Sequence, residues 1–174
     1  MAGEQVERRR MVILAADVAG HSRLVALDEE GTLPLWKAQW RELIDPKVLE
    51  HGGRVVVIAG QLLLVEFKNV IAAACCAVEL QRAMLERNAG GPHERVAFRI
   101  GINVGHIITD GAGMWGIAVY VAAHLAALAK PGGICISGRV HEDLRGKLEV
   151  AFEDQGERKL KNIARPVRVY RVLL

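Results

Sequence analysis

Aromatic residues are scarce in this chain: three Trp, three Phe and two Tyr among 174 residues. Binders of single-stranded nucleic acid stack bases on aromatic side chains along a basic groove. No such interleaving is present, and the net charge is only +3. Nucleic acid is therefore not an expected partner. The one basic run, Arg8-Arg9-Arg10, reads as part of a solvated, flexible N-terminal arm over residues 1–10. Cysteine is also scarce. Cys75 and Cys76 are adjacent, a spacing whose geometry resists a disulfide, and Cys135 stands far away. Zinc-ligand spacing is absent, so buried, reduced thiols are expected. Long apolar runs are missing too. Met11–Ala16 is interrupted by Asp17 and falls well short of the roughly 20 residues that span a bilayer. It lacks a signal-peptide cleavage pattern, so a cytoplasmic location is expected. With no repeat, low-complexity tract or linker, residues 11–174 read as one domain.

What remains is an ordinary globular composition, 51% hydrophobic and 25% charged. MVILAAD (11–17) reads as a central strand buried on both faces and ending in an acid. A mostly helical stretch follows over 24–48, perturbed near Pro34 and at Asp45-Pro46. RVVVIAGQLLLVEF (54–67) reads as two strands joined by a tight turn at Ala59-Gly60-Gln61. A helix is expected over 69–88. Alternation from Val96 to Val104 predicts a strand with one buried face, with a bulge or bend at Gly105. A helix over 116–130, a strand over 134–137 and a short helix over 140–146 come next. Late strands are expected at 149–152, 158–161 and 167–173. Mixed strands and helices with tight hairpins predict an α+β sandwich on a ferredoxin-like βαββαβ core with added elements.

Six segments, in order and over most of the chain, resemble the class III adenylate/guanylate cyclase catalytic domain. They are ILAADVAGHSRL (13–24), DEEGTL (28–33), HGGRVVVIAG with LLVEF (51–67), FRIGINVG (98–105), MWG with VAAHLAALAKPGGICIS (114–137) and LKNIARPVRVYRV (160–172). The likeness is to bacterial members above all. It implies a head-to-tail dimer with two composite sites. One subunit would supply two metal-holding Asp residues. The other would supply a Lys and an Asp or Thr that read the purine, and an Asn and an Arg that stabilise the reacting nucleotide.

Placed on this sequence, the resemblance assigns the first metal Asp to Asp17, and Gly20 and Ser22 to the turn facing the phosphates. The second metal position falls on Gln61, whose neutral amide oxygen does not replace a carboxylate for Mg²⁺. The purine positions fall on Val57 and Gly113. The Asn and Arg positions fall on Tyr120 and His124. An imidazole does not reproduce the fixed, always-charged fork of Arg. Lys161 lies in the neighbourhood of a further phosphate-binding Lys.

The expectation is thus a degenerate cyclase domain, a regulatory or binding module in cyclic-nucleotide signalling without turnover. One alternative is a weak or atypical cyclase using Mg or Mn at Asp17 and a displaced acid, Glu66 or Asp110. Another is a dimerisation scaffold with no ligand. A homodimer is expected, with nucleotide as a possible ligand. A heterodimer with an active cyclase would make this chain a regulator.

Overall fold

The computed structural model describes residues 6–19, 37–59, 62–89, 97–109 and 113–174. Among these, the strands form one sheet in the order β2-β3-β1-β4-β6-β8-β7, with β5 pairing against β4. They are β1 (Glu7–Ala19), β2 (Arg54–Ala59), β3 (Leu62–Phe67), β4 (Ala97–Thr109), β5 (Met114–Trp115), β6 (Ile134–Ser137), β7 (Ala151–Arg158) and β8 (Val167–Leu173). All neighbouring pairs are antiparallel except β4 with β6. The helices are α1 (Asp45–Glu50), α2 (Val70–Ala89), α3 (Ile117–Leu128) and α4 (Gly138–Leu144). This is the expected α+β class.

Strand alternation divides the core into two layers. Val12, Leu14, Ala16 and Val18 of β1 join Phe98, Ile100 and Ile102 of β4 beneath α1, α2 and α4. Met11, Ile13 and Ala15 face the other way, onto Ala118, Ala122 and Ala126 of α3. Both faces of β1 are therefore covered, as its unbroken apolar run predicts. Gln81 fastens α2 to the sheet: its side-chain amide donates to the carbonyls of Phe98 and Gly133, each at 2.9 Å.

The close seating of α3 depends on glycine. A Cβ on Gly101 would lie 2.3 Å from the Ala122 carbonyl oxygen and 2.3 Å from the Ala126 backbone nitrogen. Gly105 was expected to bend its strand. Instead β1 and β4 stay in unbroken register from Glu7↔Thr109 to Ala19↔Ala97. A Cβ at Gly105 would meet the Ala118 Cβ at 2.8 Å, so this glycine makes room for the helix and introduces no bulge.

Three further boundaries differ from expectation. β1 begins at Glu7, so Arg8, Arg9 and Arg10 pair with Ile108, Ile107 and His106 and are not part of a free arm. Hydrogen bonding to a long neighbouring strand extended β1 past the end of its apolar run. The perturbation at Asp45-Pro46 takes the form of a π-turn over Trp40–Ile44. Pro46 has no N–H to donate, and the Asp45 N–H reaches back five residues to the Trp40 carbonyl. The separate strands expected at 149–152 and 158–161 are one edge strand, β7. Its register against β8 shifts between Asp154 and Glu157, where Gly156 adopts φ +80°. A bidentate contact from Arg168 to Asp154 holds this irregular edge.

Candidate functional site

Asp17 sits near the end of β1 between two partners, Leu62 on β3 and Arg99 on β4. The alternation of β1 places it with Met11, Ile13 and Ala15, on the α3 face of the sheet. It is half-buried, and its Oδ1 is shielded from solvent. Arg99 stands directly across the ladder, where side chains on one face are about 5 Å apart at Cβ. Its guanidinium is half-buried, and its Nε has no hydrogen-bond partner among the described residues. Asp17 and Arg99 thus occupy paired positions on one face of β1 and β4. The sequence reading missed Arg99. It is the only charged residue in the strand 97–104, but only the register of β4 against β1 sets it opposite Asp17.

The acid nominated as a displaced metal ligand does not reach this place. Glu66 pairs in register with Ile13, four residues along β1 from Asp17, or about 13 Å at strand rise. It is buried, accepts from Arg54 Nε at 2.7 Å, and lies 3.7 Å from an Arg9 guanidinium nitrogen. Two cations already engage it, which corrects its nomination. The other nominee, Asp110, lies outside the described residues, as do Gln61, Gly20 and Ser22. Val57 pairs with Leu64 through the backbone of β2, and its side chain also lies outside the description. Among the described residues, the single carboxylate of Asp17 does not by itself fit a pair of divalent ions. The ions need further anionic oxygens to offset their charge.

Tyr120 and His124 lie one turn apart on α3. Their rings are 4.5 Å apart in an edge-to-face arrangement of 68°. Val121, Ala122, Leu125 and Ala126 are buried towards the sheet, so the ring pair sits on the outward side of the helix. Tyr120 is 44% exposed, and beside it at the start of α3 stand Trp115 and Ile117, 52% and 72% exposed. Gly113 precedes β5. Among the described residues, a Cβ there would meet only the Trp115 ring, at 3.6 Å, so their packing does not require glycine at this position. Lys161 is exposed in the turn between β7 and β8. The three cysteines are free, and burial first, then Glu79, pushes the Cys76 thiol up to about 12.

The comparisons bear on the family and the fold. The profile described as "Adenylate and Guanylate cyclase catalytic domain" matches residues 42–173. The chain belongs to the adenylate/guanylate cyclase catalytic-domain family. "Putative adenylate cyclase 3" of Rhizobium meliloti (strain 1021) is 42% identical over 171 residues, which is 98% of this chain but 29% of that protein. The chain thus spans under a third of that relative. A crystal structure titled "Adenylate/Guanylate Cyclase/Hydrolase" from Silicibacter pomeroyi is 42% identical, with a TM-score of 0.92 over 98% of this chain and 99% of that one. The adenylyl cyclase CyaB of P. aeruginosa shares the fold at 20% identity, with a TM-score of 0.83 over 97% of this chain and 96% of that one. Class III cyclase domains generally work as dimers with Mg or Mn. Among the described residues, no helix is long and apolar enough to cross a membrane.

Proposed function

We propose that this domain is a catalytically silent cyclase homologue, a regulatory or binding module in cyclic-nucleotide signalling. The observation behind this reading is the Tyr120–His124 ring pair on the outward side of α3. The family frame puts an amide and a guanidinium there to stabilise the reacting nucleotide. A phenol edge-packed on an imidazole supplies no fixed positive fork. Removing one charge-stabilising group lowers a rate about 10²–10³-fold. Here two such positions and the second metal position (Gln61) are altered together, and the purine-reading positions hold Val57 and Gly113. We place the domain in the cytoplasm, as a dimer of identical chains. Trp115, Ile117 and Tyr120 form an exposed apolar strip at the start of α3 that a second copy would cover.

The test is a cyclic-nucleotide assay of the purified chain with Mn²⁺ or Mg²⁺ and ATP or GTP. No product is expected. Turnover that disappears in Asp17→Ala would overturn the proposal. It would establish the second reading, a weak cyclase that uses the first metal position at Asp17. In the silent case, a nucleotide that raises the melting temperature identifies a binding module. A sedimenting dimer with no such shift identifies a scaffold.

A further inference from the structure

On the sheet face opposite Asp17, the end of α1 meets the middle of α2. Lys47, Glu50, His51 and Glu79 converge there. His51 Nε2 is hydrogen-bonded to the Glu79 carboxylate. Lys47 Nζ lies 3.4 Å from Glu50 Oε2 and 3.7 Å from Glu79 Oε1. One ligand-type atom from each of Glu50, His51 and Glu79 falls within 4.8 Å of the other two. Around a tetrahedral zinc-class ion with bonds of about 2.1 Å, ligand atoms stand about 3.4 Å apart. The exposed Glu50 side chain has the freedom to close that difference.

The frame beneath these side chains is fixed. His51 ends α1, and its backbone N–H donates to the Lys47 carbonyl at 3.2 Å. Gly52 follows in the left-handed region at φ +72°. A Cβ on Gly53 would strike the Phe67 ring at 2.6 Å, so the chain leaves His51 along one path. Glu79 stands in mid-helix between the buried Val78 and Leu80. Two separately anchored elements thus aim an imidazole and two carboxylates at one point. That donor set suits zinc, cobalt or nickel, whereas Mg²⁺ and Ca²⁺ take oxygen ligands. The Lys47 ammonium lies between the same two carboxylates, so it and a divalent ion exclude one another.

We propose that Glu50, His51 and Glu79 form a site for a zinc-class divalent cation, which displaces the Lys47 ammonium, takes a water as its fourth ligand and pins α1 to α2. The proposal is independent of whether the domain has cyclase activity. The test titrates the chelator-treated chain with Co²⁺, read by visible absorption, and with Zn²⁺, read by calorimetry and melting temperature. One tetrahedral-type Co²⁺ and one Zn²⁺ per chain are expected. Zn²⁺ at about a hundredfold excess over its Kd should raise the melting temperature by roughly 5–10 °C. His51→Ala and Glu79→Gln should each weaken binding at least about tenfold, as loss of one ligand from a three-ligand site requires. Lys47→Met should tighten binding, and Asp17→Asn should leave it unchanged. Absence of a Co²⁺ spectrum from both the native chain and Lys47→Met would overturn the site. So would binding that survives in both ligand variants, is lost in Asp17→Asn, or weakens in Lys47→Met.

Discussion

Replacing Gly101 with alanine adds one methyl group at the most crowded place between sheet and helix. Its Cβ would stand 2.3 Å from the Ala122 oxygen, 2.3 Å from the Ala126 nitrogen and 2.8 Å from the Leu125 carbonyl carbon. All three are backbone atoms of α3, so no side-chain rotation relieves the overlap. Restoring ordinary contact requires the helix to rise from the sheet by about 1 Å. That lift opens gaps around Ala122 and Ala126, which are fully buried against Ile13 and Ala15. Overpacking of this kind costs about 1–3 kcal/mol, and the rigidity of the obstructing backbone puts Gly101→Ala at the upper end, about 3 kcal/mol. For a chain of this length each kcal/mol lowers the melting temperature by about 2–4 °C, so a fall of roughly 6–12 °C is expected. Thermal denaturation followed by circular dichroism measures it. Gly113→Ala is the control: among the described residues its Cβ meets only the Trp115 ring, at 3.6 Å, and a shift within about 0.5 kcal/mol is expected. Equal melting temperatures for the two variants would refute the argument that glycine at 101 exists to seat α3.

Gln81→Leu removes one of two donors from each of the Phe98 and Gly133 carbonyls, which keep the Gly132 N–H at 2.8 Å and the Ile100 N–H at 3.2 Å. A loss of about 1–3 kcal/mol in urea denaturation is expected, since each hydrogen bond contributes about 0.5–1.5 kcal/mol net. Asp154 gives a pH-dependent outcome. The Arg168 hydrogen bond, then the Gly156 N–H, hold its carboxyl below the usual range. A depressed folded-state pKa means that the unfolded chain binds the proton first. The stabilisation is therefore complete above the ordinary Asp value and is lost as pH falls through the lower folded value. The melting-temperature difference between the native chain and Asp154→Asn should thus be constant at neutral pH and shrink only in strong acid. A difference that shrinks between pH 5 and 7 would show that another group is responsible.

Much of this was legible in the residues because the signals were strong and local. The two-sided burial of β1 follows from MVILAA, and the β2–β3 hairpin follows from its apolar runs around Gly60. Gly105 misled because a glycine in a strand signals either a bulge or close approach of another element. Only the position of Ala118 decides between them. The start of β1 was misplaced because Arg8–Arg10 are held by backbone pairing to β4, which side-chain polarity does not report. For the site, Asp17 was assigned by the family resemblance, at the end of an apolar run. Arg99 became visible only through the register that sets it opposite Asp17. Glu66 was one of two candidate displaced acids, and its four-residue offset along β1 and its contacts with Arg54 and Arg9 removed it.

The irregular outer strand β7 has a consequence for how these molecules behave in company. A free strand edge is a template on which a neighbouring chain can add its own backbone, and sheets that end in flat apolar strands join one another. Here the edge carries Glu153, Asp154, Gln155, Glu157 and Arg158, and the register breaks in the middle of that run. An incoming strand would meet charge at half of the positions and lose its hydrogen-bond ladder partway along. Solubility is thus secured by residues that add little to the core. Smoothing β7 into an apolar, regular strand would keep the fold and its stability while turning each molecule into the seed of a stack.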